Sequence, residues 1–171
     1  MILTVLITAF FVLCGYAAYT DSRRLQIPNW INGTLFALFL PAALLAGMSW
    51  AGIGIHIAFA LLVLVITFTL FAFNLFGGGD AKMIPAVLVW LGPSGGLDFV
   101  FSMALAGGAL ALTILLLRKR VPAELAPGFA SVIFQEKAQV PYGIAICAGA
   151  IYASKSSPVL ASFVNQFGYF A

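Results

Sequence analysis

The chain has 171 residues, 63% of them hydrophobic and 8% charged, with a net charge of +3. Soluble domains hold roughly 25% charged residues, so this composition excludes an ordinary water-soluble globule and points to an integral membrane protein. The positive charge is too small and too dispersed for a nucleic-acid-binding surface, and it reads instead as loop charge that sets membrane topology. Segment one runs from about Ile2 to Tyr19 and ends at Thr20-Asp21-Ser22-Arg23-Arg24. It lacks a basic start, and no small-residue cleavage site follows it, so a retained helix is expected rather than a cleaved signal peptide. Pro28 lets a helix restart but not continue unbroken. Asn29-Trp30 opens segment two, which continues to about Met48.

Gly47 and Ser49-Trp50-Ala51-Gly52 form a short loop. Segment three runs from about Ile53 to Leu75 and stops at Gly77-Gly78-Gly79-Asp80. Segment four is short, about Ala81 to Leu91, and Gly92-Pro93-Ser94-Gly95-Gly96 closes it. Segment five runs from about Leu97 to Leu117 and meets Arg118-Lys119-Arg120. A polar stretch, 118–140, mixes charge with Leu125, Phe129, Val132, Ile133 and Phe134, as an amphipathic element on a membrane surface does. Pro141-Tyr142-Gly143 opens segment six, which ends near Ser154-Lys155, and a short tail, 158–171, follows. The chain therefore reads as one all-α polytopic membrane domain, 1–171, with six transmembrane helices.

Charge orients it. Arg23, Arg24, Lys82, Arg118, Lys119, Arg120 and Lys137 fall after segments one, three and five, and only Lys155 falls on the other side. Positive charge collects in the cytoplasm, so both termini are expected outside, and Asp21 and Asp80 at the cytoplasmic end. Segment four cannot cross roughly 30 Å of hydrocarbon as a regular helix. Either the glycine loop before it begins within the membrane, or the segment tilts into a thin region. No internal repeat supports an inverted-repeat transporter.

Three glycines and a carboxylate at membrane depth are costly, which marks Gly77, Gly78, Gly79 and Asp80 as functional. Asp21 is the other acid in a comparable place. Two carboxyls sharing a water are the apparatus of an aspartyl protease, because two like charges a few ångströms apart cannot both ionise. The unwound glycines are expected to offer strand-like backbone to a substrate. On helix-end dipoles alone, Asp80 is the ionised partner and Asp21 the protonated one, unless Arg23 and Arg24 reverse this.

These residues resemble a known family. Asp21-Ser22-Arg23-Arg24-Leu25-Gln26-Ile27-Pro28-Asn29 resembles the first aspartate motif of the type IV prepilin peptidases. Phe76-Gly77-Gly78-Gly79-Asp80-Ala81-Lys82-Met83 resembles their GxGD motif with its trailing lysine. Pro141-Tyr142-Gly143-Ile144-Ala145 resembles the motif that opens their last core helix. The resemblance implies an intramembrane aspartyl endopeptidase of the cytoplasmic membrane. Such enzymes cut after a glycine, removing a basic leader from a prepilin just before its hydrophobic helix. It implies a prepilin substrate, the pilus assembly machinery and the lipid bilayer as partners, with no cofactor and no nucleic acid. The large members carry an insertion with CxxC motifs between the first two segments and also N-methylate the pilin. This chain has neither, so methyltransferase activity is not expected. The compact form resembles the CpaA/TadV branch that serves Flp (Tad) pili, and archaeal preflagellin peptidases are similarly compact. Presenilin-type proteases share GxGD, but their Tyr-Asp and Pro-Ala-Leu motifs are absent.

The remaining residues have ordinary readings beside functional ones. Lys82 serves topology, tunes Asp80 or meets a substrate carboxylate. Arg23 and Arg24 anchor the inner face or tune Asp21. Asn29, Asn32 and Asn74 bond between helices or cap them. His56 packs or sits at an interface, and with Cys14 and Cys147 apart in apolar runs no metal site is expected. Asp98 caps segment five, and Trp30, Trp50 and Trp90 are interfacial anchors. Two other classes would use the same features: a small proton-coupled transporter or channel, and a non-catalytic scaffold of a secretion machine.

Overall fold

The computed structural model describes residues 1–118, 140–161 and 163, and these are helical with no strand among them. Helix α1 spans Ile2–Arg24, α2 Asn29–Leu45, α3 Trp50–Ala72, α4 Gly78–Arg118 and α5 Tyr142–Ala153, and a 3-10 turn follows at Ser154–Ser156. By length and composition α1, α3 and α4 are each able to cross a membrane, and α2 is a shorter apolar helix of 17 residues. The expected amphipathic element within 118–140 and the end of the tail lie outside the described residues. Val159 and Leu160, at the start of the tail, are fully buried.

The helix ends follow from local chemistry. Leu25 turns left-handed (φ 51°, ψ 39°) and its N–H closes α1 on the Asp21 carbonyl at 2.8 Å. Pro28 stands in extended backbone just before α2. Ser49 caps α3, its Oγ accepting from the Gly52 N–H at 3.2 Å.

Helix α4 departs from the expectation of two segments parted by a five-residue loop. It is helical from Gly78 to Arg118 except at Gly92, with φ 67° and ψ −175°. Pro93 disfavours helical backbone in the residue before it, yet proline suits the first turn of a helix, so the break costs one residue. That backbone region is essentially reserved for glycine, and a Cβ at Gly92 would stand 2.3 Å from the His56 ring. The start differs too. Gly78 and Gly79 belong to the first turn of α4, and of the three glycines only Gly77 lies outside it.

Prolines remove donors from α4, and neighbouring side chains replace them. Pro85 offers no N–H to the Ala81 carbonyl, and Thr67 Oγ1 donates to it at 2.7 Å. Pro93 offers none to the Val89 carbonyl, and His56 Nδ1 lies 2.8 Å from that oxygen. A carbonyl only accepts, so Nδ1 carries the proton. Beside the break, Ser157 Oγ donates to the Trp90 carbonyl at 2.6 Å. Lipid supplies no partners, so backbone at this depth must be satisfied by protein.

The first arm of α4 is the centre of the molecule, and every residue from Met83 to Leu91 is buried. A helix apolar all round belongs inside. Helix α4 packs mainly on α5 and α3, α2 lies against α4 and α1, and α1 closes on α5. Trp90 is not an interfacial anchor: it is fully buried, packs on Phe10 at 4.9 Å and donates its Nε1–H to the Leu35 carbonyl at 2.9 Å. Trp30 and Trp50 are exposed near helix starts. Asp98 is not a cap either. It lies within the second arm of α4 and accepts from Ser156 Oγ at 2.6 Å. Asn32 is buried with neither amide atom paired among the described residues. Val5, Val12, Leu61, Val65, Phe101 and Leu105 are all more than half exposed. Such an apolar exterior is a surface for lipid rather than water.

Candidate active site

Asp21 occupies the last turn of α1 and is 6% exposed. Its Oδ2 accepts from the Gly143 N–H, in the first turn of α5, at 2.7 Å. Only a residue without a side chain fits there, because a Cβ on Gly143 would stand 2.9 Å from the Asp21 Cβ and 3.0 Å from Oδ2. Helix α5 thus holds the carboxylate from across the bundle. Asp21 faces two helix ends, the C-terminus of α1 and the N-terminus of α5. The division of charge expected from the aspartates' own helices therefore no longer assigns a protonation state.

Asp80 lies in the first turn of α4. The Ala81 N–H bonds the Gly77 carbonyl at 3.0 Å, which makes Gly77 the residue that opens the helix. The Asp80 carboxylate folds back over Gly77, three residues earlier. A side chain at Gly77 would collide with it, its Cβ standing 2.8 Å from Asp80 Oδ2.

The glycines serve close approach more than unwinding. A Cβ on Gly79 would stand 3.1 Å from the Ile27 Cβ and 3.4 Å from the Ile27 backbone nitrogen. The bare first turn of α4 therefore packs onto the linker between α1 and α2. That contact draws the end of α1 and the start of α4 to one place.

Asp21 and Asp80 line a common cavity of about 480 Å³, together with Gly77, Gly78, Gly79 and Lys82. They are close enough to interact electrostatically. The volume far exceeds the roughly 30 Å³ share of one liquid water. A cavity of this size, lined by two carboxyls, has room for a water that such a pair would activate. Lys82 donates to Asn29 Oδ1 at 3.0 Å, a bond from α4 to the start of α2. On the regular first turn of α4, Lys82 and Asp80 are two residues apart and point in different directions. Arg23 and Arg24 are not in this cavity. They line an adjoining cleft with Tyr16 and Tyr19, and the Arg23 guanidinium lies 5.4 Å from the centre of the Tyr19 ring.

Residue reasoning on its own missed Gly143, Thr67 and the partner of Lys82. The Pro141-Tyr142-Gly143 step was the available signal for the first. Thr67 had none, since a threonine in an apolar helix is unremarked until the proline it compensates is placed beside it. Among the described residues no three His, Cys, Asp or Glu side chains are grouped as a metal would need.

Comparison with known proteins adds one match. The model of a family described as the type IV leader peptidase family matches residues 8–112. The match includes both aspartates, the three glycines and Lys82, and ends before Gly143. Neither the curated proteins nor the solved structures give a match.

Proposed function

The chain belongs to the type IV leader peptidase family, and on that premise we propose that it is an intramembrane aspartyl endopeptidase whose working pair is Asp21 and Asp80. The observation that carries this reading is the single cavity the two carboxyls share. One carboxylate takes a proton from a water as its oxygen attacks the scissile carbonyl. The other, protonated, donates to the carbonyl oxygen as charge develops there. Collapse of the tetrahedral intermediate breaks the C–N bond, and the leaving amine takes up a proton. The pair titrates as a unit, so roles belong to the dyad before they belong to either residue.

The substrate is a prepilin, cut between its basic leader and its hydrophobic helix at the cytoplasmic face of the inner membrane. The support for the face is the distribution of basic residues, seven after segments one, three and five against Lys155. The branch is the compact one that serves Flp-type pili. Its support is the short linker between α1 and α2, which leaves no room for a CxxC-bearing insertion, and methylation is not part of the activity. Lys82, held by Asn29 at the cavity wall, is a binding group for substrate carboxylate or carbonyl oxygen.

The test is co-expression with a pilin precursor and mass spectrometry of the product's new N-terminus. The parent chain cuts after the glycine, and Asp21→Asn and Asp80→Asn each insert normally but cut on the order of 10²–10⁴-fold more slowly. Cleavage within about tenfold of the parent rate in either variant would sink the dyad. Solute or ion flux into liposomes, lost in the same variants without any cleavage, would replace the peptidase by a transporter.

A further inference from the structure

An apolar groove runs along the outside of α3 and α4. Phe59, Val63, Ile66 and Leu70 of α3 form one wall, and Leu88 and Val100, from the two arms of α4, stand opposite. Its one polar side chain, Thr67, already gives its hydroxyl proton to the Ala81 carbonyl. Nothing in the groove is left to recognise a polar ligand. From Phe59 to Leu70 it extends about 16 Å at a helical rise of about 1.5 Å per residue. That is about half the hydrocarbon thickness of a bilayer, and room for three turns of a docked helix.

Phe76 lines the groove and also lines a smaller cleft with Gly77, Asp80 and Tyr142. Gly77 and Asp80 in turn line the cavity that holds Asp21. The Phe76 ring meets the Tyr142 ring edge-on, with centroids 6.4 Å apart. Groove, cleft and cavity are thus neighbours, sharing Phe76 at the first step and Gly77 and Asp80 at the second.

We propose that this groove is where the apolar helix of the uncut substrate docks, with the scissile end passing Phe76 to reach Asp80. The proposal rests on the peptidase reading of the cavity and adds the route by which the substrate enters. Lipid tails cover any apolar face, and the exposed side of α1 serves them equally well. A path from hydrocarbon to a pair of carboxyls is of use only to a chain that is apolar along its length and polar at one end.

The experiment uses the full-length protein in membranes with a co-expressed precursor carrying a basic leader, a glycine at the cut and an apolar helix of about 20 residues. A photo-crosslinking residue, p-benzoyl-phenylalanine, replaces Ile66 or Val100 in the groove, or Val5 or Val12 on α1, in an Asp80→Asn background. Adducts with the precursor are expected from Ile66 and Val100 and not from Val5 or Val12. Adducts with lipid alone, or equal yields from α1, overturn the groove. With Asp80 intact, Val100→Trp narrows the groove and raises KM several-fold while kcat holds, the signature of lost ground-state binding. An unchanged KM overturns the proposal as well. The two readings fail separately. A precursor cut without groove adducts removes the docking site and keeps the peptidase. Groove adducts to a precursor that the parent chain never cuts keep a helix-binding groove and remove the peptidase. Neither adducts nor cutting removes both.

Discussion

Asp21 owes its position to a residue that has no side chain. Its partner amide belongs to Gly143, 122 positions away in sequence. Gly143→Ala forces a methyl into a space that ends 2.9 Å from the Asp21 Cβ, so the carboxylate or α5 must move. Small misplacements of catalytic groups are expensive, and kcat is expected to fall by at least about tenfold, or 1.4 kcal/mol of barrier, with KM nearly unchanged. Gly33→Ala is the control, since a Cβ there meets nothing within 4 Å. Equal kcat in the two variants would mean the Gly143 contact is packing only. Asp21→Asn and Asp80→Asn are expected to lose on the order of 10²–10⁴-fold each, the range of positioned acid–base groups. Infrared spectra of the carboxyl stretch in these single variants will also show which acid keeps the proton. Both aspartates were legible in the sequence because acids are rare and costly in apolar runs. Gly143 was legible only as part of a resemblance, because a glycine's value lies in what approaches it, and that is a tertiary fact.

At the scale of elements, α4 shows how proline-bearing helix persists at membrane depth. Read as composition, Gly92-Pro93-Ser94-Gly95-Gly96 spells a loop. The chain instead concentrates the break in one glycine and borrows His56 and Ser157 to satisfy the carbonyls it frees. Local signals were right about the place and wrong about the extent, because the compensating donors come from α3 and from the segment after α5. A double-mutant cycle tests this. Gly92→Ala carries a backbone cost of about 1–3 kcal/mol together with a clash against the His56 ring. His56→Ala leaves the Val89 carbonyl unpaired, at a cost of about 1–3 kcal/mol. The double variant is expected to be less destabilised than the sum, since the second change removes the clash that the first creates. Thermal unfolding in detergent reads the result, and strict additivity would show that His56 and the break are independent. Thr67→Val is nearly isosteric and leaves the Ala81 carbonyl without its donor. It is expected to lower stability by a similar 1–3 kcal/mol. It should also slow cleavage, because Ala81 follows Asp80 in the first turn of α4.

The whole molecule joins a polar cavity at one end to an apolar exterior, and its orientation decides whether the cavity can meet a leader peptide. Helical apolar runs were plain from the sequence, and so was the clustering of basic residues. Which helices lie at the centre was not, because burial depends on neighbours. The shortest expected segment proved to be the hub, while long α1 and α3 keep much of their surface outward. Orientation remains a matter of charge, and it can be measured. Helix α3 has 23 residues, which at about 1.5 Å per residue spans a bilayer core of about 30 Å. Its flanks therefore reach opposite faces. Trp50 and Leu75 are both about 70% exposed, at 72% and 70%. With Cys14 and Cys147 changed to alanine, Trp50→Cys is expected to react with a membrane-impermeant maleimide in intact cells, and Leu75→Cys only after lysis. Leu75 lies close to Gly77 and Asp80 in the cleft that borders the cavity, so its label reports the side on which the dyad opens. The reverse pattern would put the aspartates outside, beyond the reach of a leader still in the cytoplasm, and no geometry within the cavity could then rescue the peptidase.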